Sequence, residues 1–426
     1  MSTRVVTIDE KQLQIKKKNN VRLYSLYRIF AWDLFFYYAI SYLFFTLEKG
    51  ISPAEVLLLD AIYRFFKMAA QIPCTLLIQK MGKRKSLILA NFITALHILI
   101  IIIAPNFAIL IVSQALCAIA YIIKGTCESD MLYDSLPHGD KRSSEFSKIE
   151  GKANSKYYYL DAVCAVLSSF LFVVNHYIPM ILCLIILMIA FILSLKFEEI
   201  HEEKGKMQIK SEIKRLRVSF RNIFRSKRLK YLLLINGVIV SLFRILQNLR
   251  NTSLTEIGMP EQYFGVIFAA MGIISGIAAK NGWRIHKRYR NKTLAFLSLP
   301  VAISCLLIGV VLICGFSTNI NIIILLILFA IQYIMSGPYS GLIKQYFNNF
   351  TNSEKRVKIA TANNLIENAM ACVMVFVASW ILDFVSIELT MVIIGCIFIL
   401  VLTLMLDKMR EKVGLKPDEY GKKEIL

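Results

Sequence analysis

Twelve runs of predominantly apolar residues, each about as long as a bilayer is thick, leave few folds open to this sequence. A hydrocarbon core of ~30 Å needs roughly 20 such residues per helix. The first six runs fall at about 24–47, 54–79, 87–104, 107–130, 152–175 and 177–196. The other six fall at about 231–250, 262–283, 293–315, 321–343, 358–382 and 386–406. The charged stretch from Lys196 to Lys230 is the longest connection and divides the runs six and six. With 57% hydrophobic and only 19% charged residues, the chain lies outside the range of soluble domains. The expected fold is all-α and polytopic, with twelve transmembrane helices in two six-helix bundles. The expected divisions are a cytosolic tail 1–20, a first bundle 21–196, a cytoplasmic linker 197–230, a second bundle 231–409 and a tail 410–426.

The loops orient the chain. Odd-to-even connections such as APNFA (104–108), VNHYIP (174–179) and FSTNIN (316–321) carry no Lys or Arg. Lys49 is nearly the only cation among them, with Arg250 near another helix end. Even-to-odd connections hold the clusters KMGKRK, HGDKRSSEFSKIEGK, RIHKRYRNK and NSEKRVK, and the central linker is equally basic. Lysine and arginine resist translocation, so both termini are expected in the cytoplasm and the chain in the plasma membrane. The net charge of +21 is then topological, with contact to anionic lipid as a secondary effect and no nucleic-acid partner implied. The nine cysteines are scattered through the apolar runs without a CxxC pair, which indicates neither a disulfide framework nor a metal site. No cofactor is implied. In the linker, Ile209, Ile213, Leu216, Phe220 and Ile223 recur at helical spacing among Lys210, Lys214, Arg217 and Arg221, the pattern of a basic amphipathic helix on the membrane surface.

The turn inside IPCTLLIQKMGKRKSLIL, Ile72–Leu89, carries more than topology. Gly82 stands where a left-handed helix cap would fall. KMGKRKSL (80–87) aligns without gaps to KRYRNKTL (287–294), and each lies between the second and third run of its half. Two homologous six-helix halves are a known transporter architecture.

At this point the chain resembles the major facilitator superfamily. The family's loop signature, G-x-x-x-D-x-x-G-[RK]-[RK], reads here as Thr75, Gln79, Gly82, Lys83, Arg84. The last three positions fit; Thr75 and Gln79 depart from it. KGTCESDMLYDSLPHGDKRSSEFSKIEGK, Lys124–Lys152, is similar to the end of helix four in a bacterial branch. The resemblance implies alternating access by two six-helix halves around a midplane site. It also implies a gating network in which Lys83 or Arg84 meets Asp130 or Asp134. Because Gln79 lacks the expected charge, the latch is weaker here or is rebuilt from those two acids.

Charges within membrane helices cost roughly 2.5–3.5 kcal/mol on insertion scales, so each needs a partner, water or a function. On the family's mapping, Asp33, Glu128, Arg244, Gln247, Asn248, Gln332 and Tyr333 line the cavity as solute- or proton-binding candidates. Glu367 joins them from a polar face with Asn363, Asn364 and Asn368, where packing is an equal reading. An ion pair between Asp33 and Arg244 is the structural alternative to solute binding. Asp60 and Arg64, four apart, suit an intrahelical pair. His97 in its apolar run reads as a structural hydrogen-bonding residue. Gly337-Pro338 is expected to break its helix, as hinge or passive kink. Asp161 is not placed by the pattern.

No G-x-x-x-x-G-K-[ST] occurs, so transport would be secondary, driven by a gradient rather than by ATP. The leading expectation is a monomeric antiporter, exporting an amphipathic or cationic small molecule against protons, because membrane acids outnumber buried bases. Uptake of a small nutrient with protons is the alternative, and a transporter-like scaffold or sensor a second. A membrane-embedded enzyme such as an acyltransferase would need a clustered His/Asp or His/Asn pair at one membrane face, and the five histidines are dispersed.

Overall fold

The computed structural model describes residues 8–137, 142–200, 227–289, 292–349 and 353–413. The helices are α1 (Ile8–Ala31), α2 (Pro53–Ala69), α3 (Gln71–Met81), α4 (Lys83–Ile103), α5 (Phe107–Ser135), α6 (Arg142–Val174) and α7 (Tyr177–Leu195). They continue as α8 (Lys227–Glu256), α9 (Gln262–Lys280), α10 (Gly282–Tyr289), α11 (Thr293–Cys314), α12 (Thr318–Asn349), α13 (Ser353–Phe384) and α14 (Ile387–Val413). The proposed amphipathic linker helix, 209–223, lies outside the described residues.

Among the described residues, ten helices are long and apolar enough to cross a membrane: α4 to α9 and α11 to α14. The two remaining apolar runs, 24–47 and 54–79, are also helical but in pieces. The second breaks at Ala70, between α2 and α3. Pro73 is the cause: its ring clashes with the carbonyl four residues back, that of Ala69, and it has no N–H to donate there. The Cys74 amide then restarts the ladder on the Ala70 carbonyl at 2.9 Å. The first run breaks without proline or glycine. Helix α1 stops at Ala31, and regular helix resumes only as a short turn, Ser41–Leu43, that runs into a π-turn, Phe44–Glu48. Between them Phe36 has φ of 62°, a left-handed conformation that a bulky residue adopts only under constraint.

The helices group into two compact units. One comprises the described parts of Met1–Ser41 and Ala69–Ile209, the other those of Tyr42–Met68 and Lys210–Leu426. The break at Ala70 therefore coincides with a change of unit, and α2 packs with the helices of the chain's second half rather than its first. The buried Ser379 hydroxyl of α13, for example, donates to the Ala54 carbonyl of α2 at 2.7 Å. In the first unit, α4 lies along α5 and α7, and α1 contacts α5, α6 and α7. In the second, α11 packs on α14 and α12, and α8 on α13 and α14.

Small residues set the closest approaches, as expected where lipid provides no hydrophobic drive between helices. A Cβ on Gly395 of α14 would lie 2.6 Å from the Leu306 amide of α11, and one on Gly309 of α11 would lie 2.5 Å from the Glu388 carbonyl of α14. Gly337 plays the same part between α12 and α9, where a Cβ would stand 2.4 Å from the Ser275 carbonyl. Helix α12 continues through Gly337 and Pro338, contrary to the expected break, so close packing explains that glycine. Gly395→Val is expected to cost about 1–3 kcal/mol through backbone displacement. The check is a lower apparent melting temperature of the detergent-purified protein, while Gly276→Ala, at an open position, leaves it unchanged.

Candidate functional site

The end of α1 places a carboxylate among hydroxyls. One Asp33 oxygen accepts the Leu34 amide at 3.0 Å, the Tyr38 hydroxyl at 2.6 Å and the hydroxyl of Tyr121 on α5. One turn along α5, Lys124 is 3% exposed and donates to the Ala31 carbonyl at 2.6 Å. Asp161 lies on α6 one turn past Tyr157, near enough to Asp33 for the two carboxylates to interact through their charge. Aromatic rings wall this region: Tyr157 lies 4.9 Å from Phe35 and 6.2 Å from Trp32, and Tyr158 lies 5.4 Å from Tyr157. Two carboxyl groups bordered by aromatic faces can accept an organic cation.

One turn further along α5, Glu128 is committed elsewhere. It forms a buried ion pair with Arg28, and its other oxygen accepts the Tyr27 hydroxyl at 2.7 Å. Arg28 also reaches Glu150 at 3.7 Å and stacks on Trp32 at 3.8 Å. Asn91 of α4 closes the network on Tyr27.

At the loop signature, Lys83 pairs with Asp134 and lies 3.6 Å from Asp130. Gly82 has φ 84° and ψ 162°, outside the left-handed helical region expected of it and open in practice to glycine alone. Gln79 is exposed. A residue the sequence reading did not single out provides the negative charge here: Glu199, just past α7, accepts the amides of Lys83 and Arg84 at 3.0 and 2.8 Å. Its carboxylate thus satisfies two free N–H groups and the positive end of α4. The Arg84 guanidinium returns the link by donating to the Leu195 carbonyl at 3.0 Å. The only available signal was an acidic pair, Glu198-Glu199, immediately after an apolar run.

In the second unit, Arg64 holds Asp60 through two 3.0 Å bonds. Arg250 is buried, donates to Gln332 at 3.2 Å and stacks over Tyr333 at 4.4 Å. It had been assigned to a helix end; α8 instead runs on to Glu256, which carries Arg250 inside. Arg244 and Gln247 are exposed on α8 and 3.5 Å apart, with Asn248 alongside. Glu367 accepts Asn236 at 2.5 Å and Asn363 at 2.6 Å, and Tyr339 donates to Asn236 at 2.7 Å. The Asn368 side chain donates to the Asn364 carbonyl on its own helix instead. His97 sits 2.7 Å from the Ser113 hydroxyl in a buried contact. Buried Lys124 and Arg250 correct the expectation that membrane acids clearly outnumber buried bases.

Among the described residues, ten uninterrupted apolar helices and two broken runs define a multi-pass membrane protein, and the family match makes it a transporter. Residues 24–308 match the Major Facilitator Superfamily, to which the chain belongs. No curated protein matches it in sequence. Among solved structures, a mutant of the nucleoside transporter NupG is similar, with a TM-score of 0.72 at 11% identity over 93% of this chain and 99% of that one. A POT family transporter in complex with a thioalcohol conjugated peptide has a TM-score of 0.66 at 14% identity, covering 94% and 96%.

Removing Glu128's charge should leave the buried Arg28 with only its longer contact to Glu150. Glu128→Gln is expected to cost about 3–5 kcal/mol, read as loss of folded protein on size-exclusion chromatography. Glu199→Ala, which frees two helix-end amides, should cost about 1 kcal/mol. Amide hydrogen exchange should then quicken at the start of α4 before the rest of the helix.

Proposed function

We propose that this chain is a proton-coupled antiporter that exports an amphipathic, cationic small molecule by alternating access. The observation that carries this reading is the Asp33–Asp161 pair among Trp32, Phe35, Tyr157 and Tyr158. A carboxylate in a membrane interior is neutralised by a proton or by a bound cation. When both occupants compete for one group, loading either releases the other, which is exchange. The aromatic faces add an attraction of about 0.5–2 kcal/mol for a desolvated organic cation. Glu367, held by amides and by no cation among the described residues, is a second proton carrier. Lys83, Asp130 and Asp134, with Glu199 supplying the charge that Gln79 lacks, serve the gate. The functional setting is a monomer in the plasma membrane with both termini in the cytoplasm.

A second reading has its own observation. The second unit offers basic and amide groups, Arg244 with Gln247 and Arg250 with Gln332, that suit a polar or carboxylate-bearing nutrient taken up with protons. Proteoliposomes with an imposed pH gradient separate the two. Tetraphenylphosphonium should accumulate against an opposing proton flow, and Asp33→Asn and Asp161→Asn should each lower the rate about tenfold or more. Gradient-driven movement of a nucleoside or dipeptide without movement of the phosphonium favours uptake. No response of either solute class at either gradient polarity would overturn proton coupling.

A further inference from the structure

Helix α1 ends inside an apolar run, and the ending is unusual in what completes it. A helix C-terminus leaves carbonyls without amide partners and carries partial negative charge. In a bilayer those carbonyls must be satisfied by protein, since no lipid group will do it. The Arg28 carbonyl takes the Trp32 amide at 3.1 Å. The Ala31 carbonyl, on a residue with no exposed surface, takes the Lys124 ammonium at 2.6 Å. Asp33, two residues past the helix end, acts on that ammonium through its charge. Yet Lys124 forms no ion pair within 4 Å among the described residues. Asp33 is turned instead to three hydrogen-bond donors, the Leu34 amide and the hydroxyls of Tyr38 and Tyr121, and the Tyr121 ring lies 5.3 Å from the ammonium. The break itself is held against preference, as the positive φ of Phe36 testifies.

A carbonyl-bearing helix end, a nearby carboxylate and an aromatic face are the parts of a monovalent-cation site. Discontinuous membrane helices elsewhere hold free ions with the same parts. We infer that the break in α1 is a cation site and that the Lys124 ammonium is its resident, covalently tethered cation. The tether makes a free alkali ion unnecessary for holding this part of the first unit together. It also keeps the site's negative potential balanced while Asp33 exchanges its own occupant. The inference concerns the resting protein and uses Asp33 as a charge; it does not depend on which solute is carried.

The test is thermal unfolding of the detergent-purified full-length chain at constant ionic strength, in choline chloride against sodium or potassium chloride. The unsubstituted protein should melt at one temperature in all three salts. Lys124→Met keeps the length of the side chain but vacates the site. It should melt lower in choline and recover by about 3–5 °C, saturably, as either alkali ion replaces choline. Asp33→Asn/Lys124→Met removes the charge that calls for a cation and should lose the ion response. A Lys124→Met protein that melts like the unsubstituted chain in choline, or whose melting ignores both ions, overturns the inference. If Lys124→Met gives no folded protein, the double variant decides. Recovery of folded protein there supports charge balance, and failure there shows that the amine serves packing alone and overturns it. Because no solute is present, the outcome is independent of the transport assays.

Discussion

The cost of placing charge in a low-dielectric interior orders this molecule. Every buried ionic group described here is matched by a group on another helix or one turn away on its own, and those matches tie helices together. Arg28 on α1 is bound to Glu128 on α5 and reaches Glu150 on α6, with Asn91 of α4 joined through Tyr27. Asn236 joins α8 to α13 through Glu367 and to α12 through Tyr339. Apolar packing alone discriminates poorly among helix registers in lipid, because the lipid is equally apolar. Polar matches of this kind do discriminate, since a register slip would strand a charge.

The two broken helices follow from different physics, and only one was readable in advance. Pro73 marks the break at Ala70 through a local rule that any sequence displays. The break after Ala31 has no such signal, because residues 24–47 contain neither glycine nor proline. It exists because Lys124, more than ninety residues away in the chain, provides the donor that the freed carbonyl requires, and because Asp33 takes the Leu34 amide. Tertiary contacts override helical preference there. A single-sequence pattern can count an apolar run but cannot see a helix end that is completed from another helix.

The same division explains what else was legible. Span positions and their number are set by hydrocarbon thickness, which acts residue by residue, so they were readable. Asp60 and Arg64 lie one turn apart, and their pairing follows from helix geometry. Arg250 was misplaced because α8 outruns its apolar stretch, and its polar continuation is buried by neighbours rather than by lipid. Glu199 was missed because a carboxylate after a helix looks like any solvated charge until the start of α4 is seen beside it.

The acids of the membrane region fall into two kinds by partner, and the difference bears on mechanism. Asp60, Glu128 and Asp134 face a guanidinium or an ammonium at contact distance. Protonating any of them would take from its cation the closest acid, leaving Arg64 bare and Arg28 and Lys83 only the longer contacts to Glu150 and Asp130, so their charge is held by the cost of weakening the pair. Asp33 and Glu367 are held by phenols, a backbone amide and carboxamides, and Asp161 has no ion pair among the described residues. Such neutral donors bond an ionised carboxylate and survive its neutralisation, and beside Asp33 the Lys124 ammonium keeps its own bond to the Ala31 carbonyl. A carboxylate that must cycle between a proton and a cation needs partners of that second kind. On this argument the proposed exchange falls to the three acids with no ion pair among the described residues, and the ion-paired three are the frame around them.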